Sequence, residues 1–387
     1  MKFNFTCDAV VKGEENAVRI AKKWQYQSAF KNASRILDLM DDCSTFKSRF
    51  FFPSVTLSAE EADFPLAYGL IVYKNPEQVV RMLSSVYWPQ NLYCITYDTK
   101  STQLFKDILN KLPKCFPNVL IPKEKYKIDW CGYGVLQAAM SCLEVLTARG
   151  EVNWRYYQYM SGSDLPLKTN LEMVRIFKAL NGSFNSEISQ FQKWRITKIS
   201  APPPGNLTIF KSSFSATFSR ESAEVIVNNN ISREFFEWLN SSYCPDETFW
   251  TTIAGNPEII KMPGGFPGER WLEEKLNHAN QTKEDNLYYV SRYQVWPNTP
   301  SLCLGSWSSG SCVFGVDDLP AISNRKELVI HKLYMDYQPA AYFCLLEMQR
   351  QRTSFPVPVD AHFYSNLAGP RHVRANGKYT NFWPDNF

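Results

Sequence analysis

Long apolar runs are missing from this chain. Met1 to Gln27 carries Lys2, Asp8, Lys12, Glu14, Glu15, Arg19, Lys22 and Lys23, so it reads as neither a signal peptide nor a membrane span, and no later segment reaches spanning length. The ten cysteines form no CxxC pair and no Cys/His cluster at ligand spacing, which argues against a zinc site. An excess of one charge is missing too: 42 Lys+Arg stand against 38 Asp+Glu and the basic residues do not cluster, so nucleic-acid binding has no electrostatic footprint. No internal repeat occurs.

Aromatic residues, by contrast, are plentiful, with 11 Trp, 20 Tyr and 26 Phe in 387 residues. Ring faces pack on the apolar faces of pyranoses, so this composition suits sugar binding; it suits an aromatic core equally well. Cysteines spread singly along a long chain read as disulfide partners and imply an oxidising compartment. N-x-S/T acceptor sites at Asn4, Asn32, Asn181, Asn206, Asn230, Asn240 and Asn280 agree with that compartment. The length allows one large α/β domain or two ordinary ones.

Residues 1–60 read as helical and polar, with helical apolar spacing over Ala17 to Trp24 and Ala29 to Met40. After a linker rich in Phe, Ser and Pro, the first strand is predicted at Leu66 to Tyr73. From there the chain alternates: helix Pro76 to Tyr87, strand Leu92 to Tyr97, helix Gln103 to Leu112, strand Asn118 to Ile121, helix Gly134 to Ala148, strand Tyr156 to Met160 and helix Leu171 to Leu180. This rhythm predicts a doubly wound, mostly parallel sheet that binds ligands at the C-terminal ends of its strands. Asp98-Thr99-Lys100-Ser101 and Ser161-Gly162-Ser163-Asp164 stand at two such ends, where a carboxylate either binds a ribose hydroxyl or caps a turn. Beyond residue 180, Ala201-Pro202-Pro203-Pro204-Gly205 reads as a rigid connector and Leu207 to Phe218 as one or two strands. Residues 221–255 read as helices, residues 260–311 as irregular, Leu328 to Met335 as a last strand, and the tail from Phe355 lacks periodicity.

Cys244-Pro245-Asp246-Glu247-Thr248-Phe249-Trp250 reads as a helix start, with proline just inside it, acid in the first turn and aromatic residues entering a core. Acid there complements the helix dipole, or Glu247 serves as a catalytic base.

Glu60 to Tyr68 (EEADFPLAY), Arg81 to Ser101 (RMLSSVYWPQNLYCITYDTKS), Asp164-Leu165-Pro166 with Lys168-Thr169-Asn170-Leu171-Glu172, Ala201 to Pro204, Pro245-Asp246-Glu247-x-x-Trp250 and Cys312-Val313-Phe314-Gly315 follow one another along the chain. In that order they resemble the inverting β-1,6-N-acetylglucosaminyltransferases that make core 2 and I-type branches on glycans, a glycosyltransferase family that also contains protein xylosyltransferases. The resemblance runs from about Cys43 to Cys344. It implies a GT-A type nucleotide-sugar transferase fold that works without the Asp-x-Asp metal site usual in that fold, and no Asp-x-Asp ends a predicted strand here. No metal and no cofactor are then expected, the UDP-sugar being a substrate.

Glu247 corresponds to the family's catalytic glutamate, which takes the proton from the acceptor's primary hydroxyl. Ile71, Val72, Asp98 and Trp130 correspond to contacts at the uridine end of the donor. The family neutralises the leaving diphosphate with an Arg and a Lys. The Lys corresponds to Lys332, but the Arg position holds Ser309, a loss of transition-state stabilisation unless Arg325 substitutes from the neighbouring loop. Glu187, Lys193, Tyr293 and Trp296 correspond to acceptor contacts. The family's disulfides carry over as Cys7 with Cys344, Cys43 with Cys115, Cys94 with Cys142 and Cys303 with Cys312. Cys131 and Cys244 remain, the latter expected as a buried free thiol.

The expected organisation is a stem-like helical region at 1–60, a catalytic domain at 61–345 and an irregular tail at 346–387, the catalytic domain having a nucleotide-binding half (61–180) and an acceptor-binding, catalytic half (181–345). The expected reaction moves a sugar, GlcNAc first, from UDP to the 6-hydroxyl of an O-glycan such as Gal-GalNAc on a glycoprotein. UDP-glucose or UDP-xylose as donor, or an inactive relative that binds glycans or a partner enzyme, are the alternatives. The resemblance implies a Golgi membrane protein with a lumenal catalytic domain, whose N-terminal anchor is expected outside the sequence given; no nucleic-acid partner is expected.

Overall fold

The computed structural model describes residues 3–30, 32–279, 288–297, 301–378 and 380–383. The acceptor site at Asn280 lies outside them. Strand β1 (Leu66–Val72) pairs in parallel with β2 (Leu92–Tyr97), which pairs in parallel with β3 (Val119–Leu120). On its other side β1 pairs in parallel with β4 (Tyr156–Ser161). A short β5 (Asp164–Pro166) follows, then β6 (Asn185–Ser186) and β7 (Ala216–Ser219), which complete a sheet of order β3-β2-β1-β4-β7-β6 in which β7 alone runs antiparallel. The chain is thus α/β, with a mixed, mostly parallel central sheet.

The sequence of β1, LAYGLIV, explains why it lies at the centre. Leu66, Tyr68, Leu70 and Val72 point into one apolar cluster, while Ala67 and Ile71 point into the other. A strand buried on both faces has no place for a polar side chain. Gly69 is required by its neighbour: a Cβ there would run into the hydroxyl of Tyr157 on β4. Helices Pro76–Val86, Gln103–Cys115 and Asn170–Leu180 cover the first face, and Tyr133–Thr147 and Phe249–Ala254 cover the second. The Thr169/Glu172 capping box fixes where the helix Asn170–Leu180 begins.

A hairpin of β8 (Ser306–Ser308) and β9 (Ser311–Val313) and a two-stranded pairing of β5 with β10 (Val329–His331) build the second half of the site. The helices of residues 1–60 pack directly on this body. Val10 and Ala21 join a third cluster with the helix Pro339–Ser354, Phe46 and Phe50 join the first, and the Cys7–Cys344 and Cys43–Cys115 disulfides bolt them down.

Several expectations need correction. Residues 260–311 include a helix at Gly268–Ala279, and Leu207 to Phe218 supplies only β7 and an isolated bridge from Lys211 to Ser189. The described part of 346–387 is not irregular: the helix Pro339–Ser354 runs across its start, and Ala361–Ser365 and Ala368–Arg374 follow. These last helices are too short to show a period, and Tyr364 and Leu367 hold them against the first cluster. Cys244 is not a free thiol. The four expected disulfides form, Cys131 and Cys244 form a fifth, and no cysteine is left over. The cause lies in backbone pairing that sequence does not reveal: Cys244 N donates to Cys131 O at 3.1 Å, with both residues in the left-handed region.

Candidate functional site

A cleft of about 700 Å³ opens at the C-terminal ends of β1 and β2. Ile71 and Val72 come from the end of β1, Asp98 follows β2, and Trp130, Ser309 and Lys332 line the same space. All the residues expected at the donor therefore meet in one cavity, of a size that holds a nucleotide. Asp98 is buried and also closes its turn, its Oδ1 accepting from Lys100 N (3.0 Å) and Ile128 N (3.2 Å). Turn-forming and cleft-lining roles coincide in this residue.

Lys332 reaches the cleft from the end of β10, and its Nζ donates to Ser308 O at 2.6 Å, tying the hairpin to it. Ser309 and Gly310 both have positive φ, as a two-residue hairpin turn demands, so the turn presents Ser309 to the cleft. Burial, and then the charge of Arg292, lower the pKa of Lys332. His331 is pushed down to about 4 by burial first and by Arg292 second; the neutral ring donates from Nδ1 to Asp164 Oδ1 at 2.6 Å. Arg292 stands 3.6 Å from the other oxygen of Asp164.

Glu247 occupies a 3₁₀ turn, Pro245–Glu247, and the six-residue helix Phe249–Ala254 follows it separately, because Thr248 leaves helical geometry. Its Oε2 accepts from Arg195 Nη2 at 2.9 Å, and Lys211 Nζ lies 3.7 Å away. Asp246 beside it is buried, and its pKa is pushed up to about 7 by burial first and by the charge of Glu247 second. Glu247 does not line this cleft. Its turn is joined to the cleft wall by the Cys131–Cys244 disulfide and by Tyr243, whose ring meets Trp130 at 6.2 Å and Trp194 at 5.1 Å.

A second, smaller cavity of about 100 Å³ gathers Glu187, Tyr293 and Trp296 with Arg292 and Arg325. Lys193 lines neither cavity; it is exposed on the 3₁₀ turn Lys193–Ile196, two residues from the buried Arg195. Arg325 lies in the second cavity, pairs with Glu327 and covers the ring of Tyr293 at 4.1 Å, so it does not stand in for the arginine missing at Ser309. Sequence reasoning missed Arg195, Arg292 and the Asp164–His331 pair. Arg195 is 52 positions from Glu247, and no local spacing signals such a contact.

The Core-2/I-Branching enzyme family model matches residues 66–284. A mouse beta-1,3-galactosyl-O-glycosyl-glycoprotein beta-1,6-N-acetylglucosaminyltransferase 3 is 31% identical over 379 residues, covering 92% of this chain and 84% of the relative. The human protein of that name is 30% identical over 386 residues with the same coverage. A beta-1,3-galactosyl-O-glycosyl-glycoprotein beta-1,6-N-acetylglucosaminyltransferase of Bovine herpesvirus 4 is 29% identical over 379 residues. With these matches across both halves, the chain belongs to the Core-2/I-branching enzyme family and is a glycosyltransferase.

Proposed function

We propose that the chain transfers GlcNAc from UDP-GlcNAc to the 6-hydroxyl of a galactosyl-N-acetylgalactosamine O-glycan, with inversion at the anomeric carbon and without a metal ion. The observation that carries this reading is the meeting of Ile71, Val72, Asp98, Trp130 and Lys332 in one cleft at the strand ends. The names of the relatives supply the linkage and the acceptor class. The acceptor oxygen attacks the anomeric carbon as the bond to the diphosphate breaks, and its proton passes to Glu247. The leaving diphosphate gains negative charge, which the Lys332 ammonium stabilises. Arg195 aims the Glu247 carboxylate, and Glu187, Tyr293 and Trp296 hold acceptor sugars in the second cavity.

Five disulfides fit an oxidising lumen, for which the Golgi is the compartment we infer. Asn4, Asn32, Asn181, Asn206, Asn230 and Asn240 are all exposed and open to glycan attachment. Among the described residues no helix is long and apolar enough to cross a membrane. Transfer from UDP-GlcNAc, UDP-glucose and UDP-xylose to a Gal-GalNAc acceptor, with chelator present, tests the reading. Chelator-resistant transfer of GlcNAc alone is expected, and dependence on added metal or preference for another donor would overturn that part of it.

A further inference from the structure

The donor cleft has one cation too few if Lys332 acts alone, because Ser309 carries no charge. Three lysines line the cleft: Lys74, Lys100 and Lys332. Lys100 is committed elsewhere, its Nζ lying 2.5 Å from Asp129 Oδ1 and 3.4 Å from Asp98 Oδ2. Lys74 makes no ion pair among the described residues. It sits two residues past the end of β1, where an open α/β sheet presents groups to its ligand. Its Nζ lies 5.2 Å from the centre of the Tyr73 ring and 5.6 Å from that of Tyr334. Such ring faces steady an ammonium by cation–π attraction, and the ammonium has three N–H donors to share between Tyr73 and a ligand. Tyr334 is two residues beyond Lys332, so the segment that delivers Lys332 also braces Lys74. That segment is fixed to the start of the helix Pro76–Val86, since Gln78 donates to Leu333 O at 3.2 Å and accepts from Met335 N at 2.9 Å.

We propose that Lys74 is the second cation of the diphosphate subsite, binding the donor's diphosphate together with Lys332 in place of the charge absent at Ser309. The proposal rests on the cleft being the UDP-sugar site. Lysine suits this work as a point charge that phosphate oxygens approach from several directions. Asp336 also lines the cleft, so with Asp98 the lining holds three ammonium groups against two carboxylates before ligand enters. With Lys100 paired to Asp98 and Asp129, Lys74 and Lys332 are the lining cations that can turn toward a bound diphosphate.

Calorimetric titration of UDP and of uridine separates phosphate contacts from base and ribose contacts. Lys74→Gln is expected to weaken UDP about 10- to 100-fold and leave uridine unchanged, with Lys74→Arg retaining most of the affinity. Adding Ser309→Arg to Lys74→Gln is expected to restore UDP binding, because it returns a cation to the turn that faces the same cleft. Unchanged UDP affinity in Lys74→Gln, while Lys332→Gln loses it, would overturn the assignment of Lys74 and leave the donor site standing. A wild-type protein that binds neither UDP nor uridine would overturn the donor-cleft reading and this assignment with it.

Discussion

Asp246 and Glu247 are adjacent carboxylates with opposite surroundings. Asp246 is 9% exposed and its Oδ1 has no hydrogen-bond partner, whereas Glu247 is anchored by Arg195. For Asp246 the folded pKa of about 7 lies above the unfolded value, so its contribution favours folding below about pH 4 and is lost as pH rises toward 7. Asp246→Asn is therefore predicted to raise stability at pH 8 by on the order of 2 kcal/mol and to leave it unchanged near pH 4. Urea melts of both proteins across that range check the sign. In the proposed reaction Arg195 acts through Glu247, and its buried guanidinium also lies 5.2 Å from the Trp194 ring centre and 5.7 Å from that of Tyr243. Arg195→Ala is predicted to lower kcat by about 10- to 100-fold while UDP affinity stays at the wild-type value, a split that steady-state kinetics with calorimetry resolves.

The elements differ in how plainly the sequence shows them. β1, β2 and the helices that follow them were readable because a sheet covered on both faces demands unbroken apolar strands and amphipathic crossovers. The turn at Glu247 was readable as an acid-bearing start but not in its shape. The left-handed Cys244 and the non-helical Thr248 split what reads as one helix into a 3₁₀ turn and a short helix. The cleft residues Ile71, Val72, Asp98, Trp130 and Lys332 were legible through the resemblance, while Arg195 and Arg292 owe their positions to tertiary packing. The disulfide between Cys131 and Cys244 joins two such elements, the start of the helix Tyr133–Thr147 and the Glu247 turn. Alkylation of the denatured, unreduced protein is predicted to find no reactive thiol among the ten cysteines, and two would contradict the fifth bridge.

At the scale of the molecule, residues 3–24 and the helix Pro339–Ser354 close a third core around β10 and so support the strand that Lys332 follows. The larger cleft and the smaller cavity have separate linings, and Arg292 links them, lining the second while its charge bears on Lys332 in the first. Glu247 lies outside the lining of the larger cleft, and in the proposed reaction it is the base that serves the acceptor hydroxyl. The most direct test of this central claim is transfer of GlcNAc from UDP-GlcNAc to Gal-GalNAc by the wild-type protein and by Glu247→Gln, with UDP affinity measured on both. The account predicts that the substitution lowers kcat by at least about 100-fold and leaves UDP binding intact. Transfer by Glu247→Gln at the wild-type rate would contradict it.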